Sequence, residues 1–239
     1  MWNQPSREKS LQLYEQSVNL RNLNVSASLN FASVNSIAAT YIPRACDLFF
    51  DRFPNTQVCF RQNSSLEIYQ QLEQNQLDFG IIAESRFSKI VQTLPLIAEE
   101  FCIVASVHFS ENTVLQNSEL DVSRELRIPW NQEIDSWYDF WFGTSLRPRL
   151  LTTTLDIVAH LVLREDCWAL MPLSNARLLQ KNNPFLRIYS IAVPPPERLI
   201  YVLWRNDQKK TDLIVSFLNC LLEMAGSMDG TRVLLERPV

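Results

Sequence analysis

The stretch that decides the fold runs from Ser36 to Glu84 and reads SIAATYIPRACDLFFDRFPNTQVCFRQNSSLEIYQQLEQNQLDFGIIAE. Its apolar side chains first recur at helical spacing, up to Pro54. Residues 57–61 and 77–82 are strand candidates, and a second helical pattern lies between them. This order of helix, strand, helix and strand predicts a βαβ unit in a mostly parallel sheet.

The same stretch also locates a candidate site. Ligands of such sheets bind at the carboxyl ends of the strands, beside helix N-termini. The matching positions precede the first helix, cap the second helix and follow the strand that ends at residue 82. The residues expected there are Asn35, Ser36, Ser64, Ser65 and Glu84.

The stretch resembles the opening of the effector-binding domain of LysR-type transcriptional regulators. That family carries a Leu-Pro in its first helix, then an aromatic residue before a proline, a short strand, and a capped helix leading to a Leu-Asp pair. The corresponding positions here are Ile42-Pro43, Phe53-Pro54, 58–60 and Leu77-Asp78. From its position inside the helix, Pro43 should kink or restart it. The resemblance covers roughly residues 24–225.

The resemblance implies a two-lobed α/β fold of the periplasmic-binding-protein type II kind. Two mixed parallel sheets, flanked by helices, would enclose a ligand cleft between the lobes. Lobe I would comprise 24–106 and 202–239, lobe II would comprise 107–201, and 1–23 would be the remnant of a linker helix. A helix-turn-helix domain needs roughly 60 residues, more than precede the first strand at 24–29. We therefore expect DNA contact only through a winged helix-turn-helix domain absent from this chain, whether removed or never present.

The later elements are less regular. Strands are expected at Phe101–Ser106, 126–130, Trp168–Pro172 and 199–204, with a helix after Thr154 and a frayed tail after Gly226. Where the family has a Gly-x-Gly turn, this chain has Glu165-Asp166-Cys167, so the turn must differ. The aromatic residues of one segment could pack on their own sheet or form an apolar wall of the cleft: Trp137, Phe140, Trp141 and Phe142.

Hydroxyl residues at three helix starts allow two interpretations. Ser36, Ser64 or Ser65, and Thr154 each follow a strand candidate, and ordinary N-capping explains any one of them. Three helix N-termini around one cleft would instead present backbone N–H groups to a carboxylate or other small anion. Thr154 and Trp130 complete the expected ligand-binding residues.

Composition narrows the function classes. The chain has 239 residues, is 46% hydrophobic and 20% charged, and carries a net charge of −4. This balance predicts a sizeable core and argues against a stand-alone nucleic-acid binder. Four glycines leave no glycine-rich phosphate loop, and no apolar run is long enough for a membrane helix or signal peptide. We expect a cytoplasmic protein with no membrane contact.

No constellation for catalysis or metal binding is visible in the sequence. HExxH and GxSxG motifs are lacking, and the five cysteines are widely spaced and odd in number. The cysteines are interpreted as free core thiols in a reducing compartment. We expect no catalytic residue, no metal and no cofactor.

These observations favour a small-molecule sensing domain of a LysR-type regulator, which binds its effector between two lobes and modulates transcription. The alternative is a free-standing small-molecule-binding protein of the same fold without a DNA partner. An enzyme on this fold is the third class.

A homodimer is also expected. At about 100° per residue, Phe49 and Phe50 point well apart, so one of them should lie off the core and mark an interface. The resemblance implies an antiparallel pair, with the first-lobe helix of one subunit against a second-lobe helix of the other. The residues expected at this interface are Phe49, Phe50, Phe53, Ile157, Val158 and Leu161. Alternatively, both aromatics pack on the C-terminal helix of the same chain.

Overall fold

The computed structural model of the protein describes residues 28–207 and 212–235, so the expected linker-helix remnant 1–23 lies outside the described residues. Within these ranges the chain forms twelve strands: β1 Ser28–Ser33, β2 Gln57–Gln62, β3 Phe79–Ile82, β4 Val91–Glu99, β5 Phe101–Ser106, β6 Val114–Leu115, β7 Leu126–Arg127, β8 Leu150–Leu151, β9 Trp168–Pro172, β10 Leu186–Ile191, β11 Arg198–Arg205 and β12 Thr231–Val233. It forms seven α-helices: α1 Asn35–Thr40, α2 Ile42–Arg52, α3 Ser65–Glu73, α4 Gln132–Phe142, α5 Leu155–Leu161, α6 Leu173–Asn182 and α7 Asp212–Ala225.

Six strands form the sheet of the first lobe, in the spatial order β12-β4-β11-β3-β1-β2. Strand β1 pairs in parallel with β2 and β3, which places Phe31 opposite Phe60 on one side and Phe79 on the other. The parallel pairing predicted for this stretch is confirmed. The remaining pairs are antiparallel, so the sheet is mixed and not mostly parallel.

Pro43 restarts the first helix, as predicted. The helix breaks at Tyr41, between α1 and α2, and Pro43 lies in the first turn of α2. Proline is tolerated there because the first N–H groups of a helix have no intrahelical partner. Helix α2 then packs on α7, where the rings of Phe49 and Phe217 meet edge to face at 5.4 Å.

The second lobe has a four-stranded sheet in the order β6-β10-β5-β9 and a small parallel pair, β7-β8. Helices α5 and α6 bury Val158 and Ala176 in one apolar cluster with Ala169 of β9. Helix α4 buries Ile134 in a separate cluster with Trp168. The two-lobed α/β architecture with two mixed sheets is therefore confirmed.

The chain crosses between the sheets at positions other than those the sequence predicts. The expected lobe boundaries followed 106 and 201, but β5 lies in the second sheet and all of β11 lies in the first. The crossings fall at Glu100 and at 192–197. Buried strands have similar apolar sequences in either lobe, so the pattern of β5 did not indicate its sheet.

The structure differs from the sequence analysis, or adds to it, at the C-terminal tail, at α6 and in the turn at 165–167. The tail after Gly226 is not frayed over the described residues up to 235, because β12 pairs with β4 and the Gly230 carbonyl accepts a hydrogen bond from Glu100 N at 2.9 Å. Helix α6 was not expected from the sequence. In the turn at 165–167 no residue has a positive φ, so the glycines of the family pattern are not needed there.

A buried ion pair joins β4 and β11, the two first-lobe strands that adjoin the crossings and are called the crossing strands below. Glu99 ends β4, Arg198 begins β11, and the two are register partners in the first sheet. The Arg198 Nε and Nη2 atoms lie 3.1 and 2.5 Å from Glu99 Oε2. Both side chains are almost fully buried, with exposed fractions of 1% and 0%.

Further hydrogen bonds complete this buried network. The Tyr41 hydroxyl donates to Glu99 Oε1 at 2.8 Å, and the hydroxyl of Ser174 on α6 donates to the same oxygen. Burial and the adjacent carboxylate raise the pKa of Tyr41, so its hydroxyl keeps its proton and acts as a donor. Because buried charges require such partners, the network stabilises one arrangement of the crossing strands and α6.

Removing one charge of this pair should be costly. We expect Arg198→Met to lower the free energy of unfolding by about 3–5 kcal/mol, because Glu99 would remain buried and unpaired. The measurement is equilibrium urea denaturation. A matched control is Arg232→Met, which removes the exposed partner of Glu197 and should cost less than about 1 kcal/mol. Equal costs for both variants would contradict the assigned role.

A second buried carboxylate lies in the second lobe. Glu125 has an exposed fraction of 1% and accepts a hydrogen bond from the Tyr138 hydroxyl. Burial raises its pKa to about 7, although the hydrogen bond from Tyr138 and the charge of Arg127 act in the opposite direction. The folded protein therefore holds this proton more tightly than the unfolded chain.

This shift predicts a pH dependence of stability. The stabilising contribution of protonated Glu125 is fully present below pH 4.5 and is lost as the pH rises through about 7. Relative to Glu125→Gln, the wild type should lose on the order of 3 kcal/mol across this window. Urea denaturation at a series of pH values tests this. The exposed Glu133→Gln variant should follow the wild type, and an unchanged slope in Glu125→Gln would refute the assignment.

Candidate functional site

A cavity of about 720 Å³ lies between the two lobes. The carboxyl ends of β1, β2 and β3 open into it from the first lobe, and the segments after β7 and β8 face it from the second. All the residues that the sequence predicts for ligand binding line this one cavity: Asn35, Ser36, Ser64, Ser65, Glu84, Trp130 and Thr154. Their role as ligand contacts stays a prediction.

Ser36 is not the N-cap that the sequence suggests. Val34 occupies the N-cap position of α1, and its side chain makes no capping bond. The Ser36 hydroxyl instead accepts a hydrogen bond from Arg198 Nη1 at 2.8 Å, and the Ser36 carbonyl accepts one from Asn175 Nδ2 at 3.0 Å. Ser36 thereby connects the wall of the cavity to the buried network of Glu99 and Arg198.

Ser64 is a true cap. Its hydroxyl accepts from the Glu67 N–H at 3.3 Å, and the Glu67 carboxylate accepts from the Ser64 N–H at 2.8 Å. This reciprocal capping box stabilises the start of α3 and lowers the pKa of Glu67 through the hydrogen bonds from Ser64. The helix start thus already has a carboxylate of its own.

The second-lobe wall is formed by Trp130 and the start of α5. The Trp130 indole N–H donates to the Leu170 carbonyl at 3.0 Å, and the Arg198 guanidinium lies 5.2 Å from the centroid of its ring. Thr154 precedes α5 without a side-chain capping bond, so its hydroxyl is available to the cavity.

The nearby aromatic residues belong to the lobe and not to the cavity wall. Trp137 and Phe142 pack against the cluster around Trp168. Phe140 is 80% exposed and Trp141 is 37% exposed. Of the two interpretations, packing on the sheet holds for Trp137 and Phe142.

The charges of the cavity differ from the expected anion pocket. Three carboxylates line it: Glu67, Glu84 and Asp156. Arg198 is the one basic side chain among the described lining residues, and its charge is paired with Glu99. Two of the carboxylates also have partners, since Glu84 lies 3.7 Å from Arg86 and Glu67 accepts the capping-box hydrogen bond from Ser64. Asp156 and Arg198 were not predicted from the sequence. Asp156 could have been, because it lies in the first turn of the helix predicted after Thr154.

Asn35 carries the clearest unfilled hydrogen-bonding capacity in the cavity. Its Oδ1 atom is buried and has no hydrogen-bond partner within the described ranges, while the residue itself is only half-buried and lines the cavity. A buried amide oxygen without a hydrogen bond is unfavourable, so a ligand N–H or O–H donor would satisfy it.

The described residues hold no group of three histidine, cysteine or acidic side chains suited to a metal ion. All five cysteines are free thiols, and Cys102, Cys167 and Cys220 are buried as expected. Cys46 is half-buried and Cys59 is exposed, so the expected core position is wrong for Cys59. In the described part of the chain, no helix has the length and apolar character to span a bilayer.

The residues predicted for a dimer interface divide into two groups. Phe49, Phe53 and Val158 are buried in the cores of their own lobes and are not accessible to a partner. Phe50 is 42% exposed and Ile157 is 45% exposed, while Leu161 is half-buried. Phe50 is therefore the aromatic that lies off the core stripe of α2.

Comparison with known structures supports the same fold. A full-length OxyR variant from Pseudomonas aeruginosa aligns with a TM-score of 0.72 at 15% identity, over 97% of this chain and 77% of that one. The reduced regulatory domain of OxyR2 from Vibrio vulnificus aligns with a TM-score of 0.71 at 15% identity, over 85% and 98%. The BenM effector-binding domain with its effector benzoate aligns with a TM-score of 0.67 at 16% identity, over 85% and 94%.

No curated protein matches this chain by sequence. The family model described as the LysR substrate binding domain matches residues 24–226, which is most of the chain. The chain therefore belongs to the LysR substrate-binding domain family, whose members are the non-enzymatic, effector-sensing domains of LysR-type transcriptional regulators.

Proposed function

We propose that this domain senses a small polar molecule bound in the cavity between its lobes. The observation that carries the proposal is the cavity of about 720 Å³, which is lined from both lobes and large enough for a metabolite. The first-lobe wall presents the amide of Asn35 and the hydroxyl of Ser65, and the second-lobe wall presents the hydroxyl of Thr154. A ligand in contact with both walls stabilises one orientation of the lobes.

Ser36 supports the transmission of this signal. It lines the cavity, and its hydroxyl is bonded to Arg198 in the buried network at the crossing strands. A ligand that competes for or reinforces this bond changes the relative stability of the two lobe orientations. The ligand can shift the equilibrium between the two lobe orientations only as far as its affinities for them differ.

The charge of the effector is part of the proposal. BenM binds benzoate, and the sequence of this chain suggested an anion. The carboxylates of Glu67, Glu84 and Asp156, with Arg198 already paired, favour a neutral or cationic molecule instead. Its donor groups would face Asn35 Oδ1 and the acidic rim.

The transcriptional role follows from the family and needs a DNA-binding unit. We propose that the domain acts in the cytoplasm together with a winged helix-turn-helix domain, as LysR-type regulators do. The alternative is a free-standing binding protein without a DNA partner. Both use the same cavity, and a helix-turn-helix reading frame joined before Met1 would distinguish them.

Binding in the cavity is tested by Asn35→Ala. The substitution removes an oxygen that has no partner in the described structure, so stability should be unchanged while a hydrogen bond to the ligand is lost. In thermal-shift titrations at constant ionic strength, benzylamine or benzamide should raise Tm of the wild type more than benzoate does. Affinity in Asn35→Ala should fall about threefold to tenfold.

The exposed Asn55→Ala variant is the matched control and should bind as the wild type does. Two results would contradict the proposal. One is a Tm increase that is equal in Asn35→Ala and in the wild type. The other is a larger increase with benzoate than with either uncharged or cationic analogue, which would restore the anionic effector.

We propose an antiparallel homodimer that uses the exposed side chains of α2 and α5. Its support is the exposure of Phe50 and Ile157, two large apolar residues on the helices that the family resemblance implicates. Two-fold symmetry would form each α2–α5 contact twice.

The dimer is tested by Phe50→Glu in sedimentation equilibrium. At concentrations on the order of tens of micromolar, the wild type should be dimeric and Phe50→Glu monomeric. Phe87, which is 91% exposed and lies outside these helices, provides the control variant Phe87→Glu. A monomeric wild type refutes the dimer, and a dimeric Phe50→Glu places the interface elsewhere.

A further inference from the structure

A second cavity, of about 280 Å³, lies between the lobes away from the effector cavity. It is bounded by α2 of the first lobe, α6 of the second and the segment between α7 and β12. No residue lines both cavities. Its volume is close to the lower limit for ligand pockets, so it suits a small molecule or ion.

The basic residues of this second cavity exceed its acidic ones. Arg44, Arg177 and Lys181 line it, with Asp229 as the one acidic residue among its described lining. Within 28–207 and 212–235, neither Arg44 nor Lys181 has a carboxylate within ion-pair distance. Arg177 lies 3.6 Å from Asp229, whose side chain is 81% exposed, so that pair is weak.

This local surplus contrasts with the whole chain, whose net charge is −4. These three exposed positive side chains come from two lobes and face one cavity, which makes the local electrostatic potential favourable to an anion. Guanidinium groups are well suited to a phosphate or carboxylate because they donate two parallel hydrogen bonds. The ammonium of Lys181 adds a mobile point charge.

The cavity also borders the buried network of the crossing strands. Ser174 lines the cavity, and its hydroxyl donates a hydrogen bond to the Glu99 carboxylate. Thr40 lines it and donates to the Ser36 carbonyl at 2.8 Å. Both hydroxyl groups already donate hydrogen bonds within the protein, so Arg44, Arg177 and Lys181 would supply the donors to an anion. Ser174 and Thr40 connect the second cavity to the effector cavity through these hydrogen bonds.

We propose that this second cavity binds a small, multiply charged anion of the phosphate type, held by Arg44 from the first lobe and by Arg177 and Lys181 from the second. Because its ligands come from both lobes, the bound anion stabilises their relative orientation. The observations behind this site are separate from those behind the proposed effector site, since the described lining residues of the two cavities do not overlap.

The test is calorimetric titration of the full chain with sodium phosphate. A second measurement compares the Tm of the protein in sodium phosphate with its Tm in sodium chloride of equal ionic strength. We expect phosphate to raise Tm where chloride does not. Arg44→Gln and Lys181→Gln should each weaken phosphate binding by about tenfold or more, the loss of a charged hydrogen bond. Without phosphate neither variant should be less stable than the wild type, because neither side chain has an ion-pair partner to lose among residues 28–207 and 212–235.

Matched controls separate this site from general charge effects and from the effector cavity. Arg147→Gln removes an exposed arginine elsewhere, and Asn35→Ala alters the first cavity; both should bind phosphate as the wild type does. Glycerol 3-phosphate distinguishes the sources of the anion. Tighter binding of the ester indicates a phosphorylated metabolite, and equal or weaker binding indicates free phosphate; either supports the site.

Two results would overturn the proposal. Phosphate and chloride of equal ionic strength could have the same effect on Tm, with no heat of binding. Alternatively, Arg147→Gln could lose as much phosphate affinity as Arg44→Gln and Lys181→Gln, which would reduce the effect to nonspecific charge.

Discussion

The buried pair of Glu99 and Arg198 is the interaction on which the arrangement of the two lobes depends. It joins β4 and β11, the strands next to the two crossings between the sheets. Its Glu99 carboxylate accepts further hydrogen bonds from Tyr41 of the first lobe and Ser174 of the second. Since each charge is costly to bury alone, the network acts as a unit. Arg198 extends this unit to Ser36 in the cavity wall, so one set of hydrogen bonds connects the cavity to the contact between the lobes.

Local patterns predicted the parallel strands around β1, the restart at Pro43 and the residues around the cavity, because these features depend on neighbours in sequence. The partner of Ser36 could not be predicted the same way. Its hydroxyl meets Arg198, which is 162 positions away in the chain. The sheet membership of β5 and the pairing of β12 likewise depend on long-range contacts, which leave no periodic signal in the strands themselves.

Similarity to OxyR structures shows the fold and does not by itself extend redox chemistry to this chain. Burial raises the pKa of Cys46 to about 11, and burial also raises the pKa of Cys102 and Cys220. The thiolate is the reactive form of cysteine, so these side chains behave as small apolar core residues. The charges proposed to select ligands lie instead around the cavity proposed for the effector and around the cavity lined by Arg44, Arg177 and Lys181.

The crossing at Glu100 restricts the kind of motion that the domain can make. It is one residue long, its N–H donates to the Gly230 carbonyl at 2.9 Å, and its carbonyl accepts from Leu173 N at 2.8 Å. The other crossing contains Pro194, Pro195 and Pro196, whose φ angles are restricted. A connection held by backbone hydrogen bonds on both sides, beside one with restricted φ angles, limits how far the lobes can rotate relative to each other. A molecule bound between the lobes would therefore select between orientations that differ by small rotations.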